Sequence, residues 1–100
     1  MVRSEVNLPS DFKNDVNIAV DILLRYGANE VYLFGSLARG ENRSGSDIDI
    51  ATVGLPKNRF FAAYGELLTE LRHPVDLVGL DYDNDFAREV RMQGGILRVA

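Results

Sequence analysis

The sequence predicts a small α/β (α+β) domain, a mixed sheet of three to four strands flanked by helices. Short runs rich in β-branched and aromatic residues recur at "VYLFG", "DIDIATV" and "VDLVGL", each the length of one strand. Apolar residues at helical spacing lie before, between and after them. At 100 residues the chain is expected to form one domain over 1–100, too short for a second independent core.

The elements follow in order. From Ser10, the residues Phe12, Val16, Ala19, Val20, Leu23 and Leu24 mark one face of a helix. Ser10 or Asp11 can cap its start, and Gly27 stops it. Val31 to Gly35 is the first strand. Asp47 to Val53 is the second, with Ile48 and Ile50 on one face and Asp47 and Asp49 on the other, because strand side chains alternate. After the loop "GLPKN", Phe60, Tyr64, Leu67, Leu68 and Leu71 mark a second helix. His73-Pro74 ends it, since the residue before a proline is pushed out of helical geometry. Both apolar stripes are expected in the core. Val75 to Leu80 is the third strand. Asn84 or Asp85 caps a helix from about Phe86 to Gln93, closed by Gly94, and "ILRV" is a candidate edge strand.

A helix joining the second and third strands implies a parallel crossover. The link from Ser36 to Ser46 allows either a hairpin or a crossover. If the Gly-Ser turn and Asp47 are to meet, the first strand must end where the second begins, which makes that pair antiparallel and the sheet mixed. The second and third strands then start at the same end, and Asp76 joins Asp47 and Asp49.

Composition narrows the function. The chain is 46% hydrophobic and 26% charged, with a net charge of −4 from 15 acidic residues against 11 Lys plus Arg. That balance argues against broad nucleic-acid binding, which rests on phosphate neutralisation, so no direct nucleic-acid contact is expected. No run approaches the roughly 20 apolar residues that span a membrane, and the N-terminus shows no apolar signal core. There is no cysteine, hence no disulfide or thiol chemistry, which fits a cytoplasmic location.

The chemistry concentrates in "FGSLARGENRSGSDIDI", Phe34 to Ile50. Gly35-Ser36 follows a strand and precedes a helical turn. Gly35 lets backbone approach a ligand, and free amides at a helix start hold phosphate. Taken alone, the pair also reads as an ordinary turn. Asp47 and Asp49 place like charges on one strand face, which costs stability unless a cation sits between them. Mg²⁺ binds one or two carboxylates plus substrate phosphates, while a strand with one wet face would explain the same pattern. Asp76, in isolation a polar group at a strand end, gains weight from the topology. Two metal ions bridged by three carboxylates could clamp an in-line nucleotidyl displacement, and Asp76 could accept the proton of an attacking hydroxyl. Arg39 is equally a phosphate contact or a surface charge. Arg43 reads as solvated, His73 as a helix-end residue interacting with the dipole. The four tyrosines show no site-like clustering.

Gly35-Ser36, ten intervening residues and then Asp47-x-Asp49 resembles the signature of the DNA polymerase β-like nucleotidyltransferase superfamily. The wording "FGSLARG…SDIDI" with a later "VDLV" is most similar to the minimal nucleotidyltransferase domains, and the resemblance covers nearly the whole chain. It implies the nucleotidyltransferase fold, with Gly35, Ser36 and Arg39 at the nucleotide. It also implies Asp47, Asp49 and Asp76 as catalytic residues and ligands of Mg²⁺, with two ions, and transfer of AMP from ATP to an acceptor hydroxyl. Larger relatives carry an added acceptor domain, and only 24 residues follow Asp76 here, so the acceptor is expected from a partner. Many minimal nucleotidyltransferases resemble antitoxins of HEPN/MNT toxin–antitoxin pairs, some of which add AMP to a tyrosine of a HEPN-domain RNase toxin. The resemblance therefore implies a protein adenylyltransferase bound to such a toxin, in a hetero-oligomer or as a homodimer. The alternatives are an antitoxin acting by steric binding and a nucleotidyltransferase for a small hydroxylated molecule such as an aminoglycoside.

Overall fold

A computed structural model describes residues 8–41 and 45–100. Arg43, expected to be solvated, lies outside them. Helix α1 (Ser10–Arg25) buries Phe12, Asp15, Val16, Ala19, Val20, Ile22 and Leu23 along one face. Neither Ser10 nor Asp11 caps it. The carbonyl of Pro9 instead accepts from the amides of Phe12 and Lys13 at 3.0 and 2.9 Å, so the helix opens one residue earlier than the sequence suggests. It closes where expected: the amides of Gly27 and Ala28 turn back to the carbonyls of Leu24 and Leu23.

Strand β1 (Glu30–Phe34) runs directly into the short helix α2 (Gly35–Arg39), so Gly35 belongs to the turn rather than to the strand. Strand β2 (Ile48–Val53) begins one residue after Asp47. A 3₁₀ turn at Lys57–Arg59 leads into α3 (Phe60–Glu70), which stops short of His73-Pro74. Strand β3 (Val75–Gly79), helix α4 (Asp85–Gln93) and the two-residue strand β4 (Leu97–Arg98) complete the chain. Asn84 is the residue that caps α4, its Oδ1 accepting from the Ala87 amide at 2.7 Å.

The sheet order is β3-β2-β1-β4. β1 pairs antiparallel with β2 and β4, and β2 pairs parallel with β3 across the α3 crossover. The sheet is therefore mixed, as expected, and the residue that it sets against Gly35 is Asp49. Alternation divides its faces. Val31, Leu33, Ile48, Ile50, Val75 and Leu77 bury into the core shared with α1 and α3. Ala51 and Val78 pack on the opposite face with Ala87 and Val90 of α4, and Tyr32 and Phe34 pack against them. Asp49 and Asp76 share the parity of Ala51 and Val78, so they sit on the α4 face at the end of the sheet that α4 does not reach by these contacts.

The two apolar stripes are not wholly core. Leu24 is 41% and Leu68 60% exposed, because each lies at the margin of its stripe and turns outward. Asp15, by contrast, is buried at 1% exposure although its side chain is acidic.

Candidate active site

The strand register builds the site. Phe34 lies opposite Asp49 in the β1–β2 pair, so the turn that follows Phe34 falls beside the Asp49 side chain. Asp49 lies opposite Asp76 in the β2–β3 pair. Three segments distant in sequence thereby meet at one end of the sheet. The Ile48 amide donates to the Pro74 carbonyl at 2.8 Å, which fixes the starts of β2 and β3 against each other.

Gly35 carries φ +69°, and a Cβ built there would stand 2.1 Å from Asp49 Oδ2. Backbone and carboxylate are thus packed more closely than any side chain at position 35 permits. Ser36 is half-buried, and its carbonyl accepts from the Glu41 amide at 2.9 Å, folding the loop back on the turn. Arg39 is exposed and pairs with Glu41 at 2.9 Å. A surface pair of this kind is weak, about 1 kcal/mol or less, so Arg39 can be released toward a stronger anion. Its charge already pulls the Asp49 pKa downward.

The opposing influences on Asp49 are larger. Burial pushes its carboxyl up, helped by the negative charges of Asp76 and Asp47 and a hydrogen bond with Asp76, and it reaches about 6. Asp47 and Asp76 themselves are exposed. The site is thus a half-buried carboxylate crowded by two exposed ones, with Arg39 at its edge. Such crowding favours either a proton or a cation.

A residue that the sequence left in the core belongs here too. The Tyr64 hydroxyl lies 3.3 Å from Asp76 Oδ1 and 3.1 Å from the Val75 carbonyl. It sits on α3 in the stripe with Phe60, and its polar tip was the available signal. The tyrosines are therefore not all remote from the site. His73 also differs from expectation. Its Nδ1 meets Asp15 Oδ2 at 2.8 Å, and its ring stacks on Phe12 at 4.2 Å, so it locks α1 to the α3–β3 loop instead of serving a helix dipole. The same Asp15 oxygen accepts from the amides of Arg72 and His73, both at 2.9 Å. That clamp lies immediately upstream of Asp76.

A cleft of about 510 Å³ lies elsewhere, along the Leu77–Gly79 part of β3. Phe60, Phe61, Tyr82 and Lys57 line it, and none of the predicted site residues does. Its walls lack the crowded carboxylates that phosphoryl chemistry needs, so the chemistry is assigned to the Asp49 end.

A sequence model of the family described as "Polymerase beta, Nucleotidyltransferase" matches residues 19–98. The chain belongs to that nucleotidyltransferase family. A crystal structure of a toxin–antitoxin with AMP-PNP is similar to it at 26% identity and a TM-score of 0.65, covering 85% of this chain and 71% of that one. A protein assigned as a minimal nucleotidyltransferase is similar at 23% identity and a TM-score of 0.62, covering 98% of both chains. These likenesses agree with the nucleotidyltransferase fold. No curated protein sequence matches the chain.

This carboxylate cluster suits a hard divalent cation. Its donors are carboxylate oxygens, burial and then the neighbouring negative charges raise Asp49, and a Cβ at position 35 would collide with Asp49 Oδ2. The expected three-carboxylate set is not, however, gathered into a closed cage. Among the described residues no group of three or more His, Cys, Asp or Glu side chains comes together as a metal site. Asp47 precedes β2 and stays exposed, whereas Asp49 and Asp76 are register partners. An open set of this kind is what an ion completed by phosphate oxygens requires.

Among the described residues no helix is long and apolar enough to cross a membrane.

Proposed function

We propose that this chain transfers AMP from ATP to a hydroxyl acceptor, and that the acceptor is a tyrosine of a HEPN-domain RNase toxin. The observation that carries the catalytic half is the register pairing of Asp49 with Asp76 beneath a turn whose Gly35 abuts Asp49. In this reading Gly35 and Ser36 bring backbone to the triphosphate, and Arg39 leaves Glu41 to neutralise phosphate charge. Asp47 and Asp49, with Asp76, would hold Mg²⁺, two ions in the full complement. When bound, the metal would neutralise charge developing on the α-phosphate and on the leaving pyrophosphate.

Asp76 takes the proton of the acceptor hydroxyl. The acceptor oxygen then bonds to the α-phosphorus as the bond to the bridging oxygen of the β-phosphate breaks, and pyrophosphate leaves with those electrons. Asp49, ionising near pH 6 without a cation, is in its charged form at neutral pH. The exposure of Asp47 and Asp76 leaves the acceptor side open to a macromolecule. The similarity to the toxin–antitoxin with AMP-PNP supports a toxin as that macromolecule.

The test incubates this chain with the product of the neighbouring reading frame, Mg²⁺ and ATP, and follows the partner's intact mass. Steps of one AMP are expected, and Asp47→Ala combined with Asp49→Ala removes them. Unchanged labelling by that double variant would sink the site assignment. Protection of cells by the same variant, without any mass gain, would favour steric neutralisation instead.

A further inference from the structure

We infer that Tyr64 is a positioning residue that sets the orientation of the Asp76 carboxylate for nucleotidyl transfer. The inference rests on the functional reading above and extends it to a side chain outside the Gly-Ser and aspartate signature. Among the described residues β3 is an edge strand of the sheet, with β2 as its strand neighbour. Its pairing with β2 uses the Pro74 carbonyl and the Leu80 amide, bonded to Ile48 and Thr52. By alternation, Val75 and Leu77 direct their backbone groups to the free edge. The Tyr64 hydroxyl occupies that edge. It shares its proton between the Val75 carbonyl at 3.1 Å and Asp76 Oδ1 at 3.3 Å.

One hydroxyl thus ties the Val75 carbonyl to the Asp76 carboxylate at the position from which the Asp76 side chain projects. A strand cap alone would need only the Val75 carbonyl. The second contact, to a carboxylate that is otherwise exposed, is the one a cap does not explain. Without it, Asp76 is an exposed side chain beside Asp49, with one contact fewer to fix its rotation about the Cα–Cβ bond. With it, Oδ1 is engaged and the second oxygen is left for a metal ion or an acceptor proton. The aromatic ring is itself held edge-on by Phe60, with centroids 5.9 Å apart, so the hydroxyl has a fixed origin. Outer hydrogen-bond partners of this kind orient metal-ligating carboxylates.

Three proteins decide the matter: the intact chain, Tyr64→Phe and Asp76→Asn. Tyr64→Phe keeps the ring and its contact with Phe60. Each is titrated with Mn²⁺ in the presence of AMP-PNP, read by electron paramagnetic resonance, and assayed for AMP transfer to the partner with kcat and KM resolved. Thermal melting reports any loss of fold. Tyr64→Phe is expected to lower kcat and Mn²⁺ affinity by about tenfold or more, the usual effect of removing an outer-shell partner, with the KM for ATP within about twofold. Asp76→Asn is expected to do so more severely. If Tyr64→Phe binds Mn²⁺ and turns over like the intact chain while Asp76→Asn does not, the positioning role is wrong and the functional reading stands. A lower melting temperature with unchanged binding and kcat would likewise reduce Tyr64 to an edge cap. If the intact chain itself binds no Mn²⁺ with AMP-PNP, both the reading and the inference fall.

Discussion

The close approach of Gly35 to Asp49 makes Gly35→Ala the most informative single substitution. Two costs apply. An alanine at φ +69° adopts the left-handed region, which costs roughly 1–2 kcal/mol for a residue with a Cβ. The new methyl would also stand 2.1 Å from Asp49 Oδ2 and 3.1 Å from its Cγ, forcing the carboxylate into another rotamer. Leaving a preferred side-chain geometry costs about 1 kcal/mol more, for a total near 2–3 kcal/mol. Gly40 supplies the control. It has nearly the same φ, +72°, and a Cβ there meets nothing within 4 Å. Gly40→Ala therefore carries the backbone cost alone. Urea unfolding of both variants should show Gly35→Ala the more damaging by about 1 kcal/mol, and repeating it in an Asp49→Ala background should erase that difference. The surviving Asp49 Cβ lies at 3.4 Å, an ordinary contact. An equal cost for the two glycines with Asp49 present, or an excess that persists without it, would refute the reasoning.

Other expectations follow from the same geometry. The fold raises the Asp49 carboxyl from 3.8 to about 6, so the folded protein keeps a proton that the unfolded chain releases. Its stabilising contribution is therefore complete below about pH 4 and is lost as pH rises through 6. Asp49→Asn should flatten the metal-free stability profile across that window. Asp15→Ala removes the acceptor of two loop amides and the His73 ring from a buried position, and should cost roughly 3 kcal/mol in urea unfolding. Thr52 is fully buried, and its hydroxyl has no hydrogen-bond partner among the described residues. Thr52→Val should therefore raise stability by up to about 1 kcal/mol, measured the same way.

Much of this was legible in the sequence because the informative patterns are local. Strand alternation separated Ile48 and Ile50 from Asp49, and the wish to join Gly35 to Asp47 implied an antiparallel β1–β2 pair. What escaped were contacts fixed by distant segments. Asp15 occupies the buried face of α1, and the amides of Arg72 and His73, 57 and 58 residues away, together with the His73 ring, explain why an acidic side chain is tolerated there. Tyr64 falls in register with Phe60 and Leu67, so its ring reads as core, while its hydroxyl reaches past the core to Asp76. Leu24 and Leu68 satisfy the helical spacing yet sit at the rim, since periodicity gives a direction and not the width of the surface that covers it. The helix start at Pro9 was missed because a backbone carbonyl did the work expected of a Ser or Asp side chain.

The central claim is that the α-phosphoryl group, with its nucleoside, moves to an acceptor on a protein partner. Parallel reactions with ATP labelled at the α- or at the γ-phosphate test it most directly. The account predicts that α-label becomes attached to the partner, that γ-label appears only in pyrophosphate, and that Asp47→Ala with Asp49→Ala abolishes both. Label from the γ-position on the partner, or α-label attached equally well by the double variant, would contradict it.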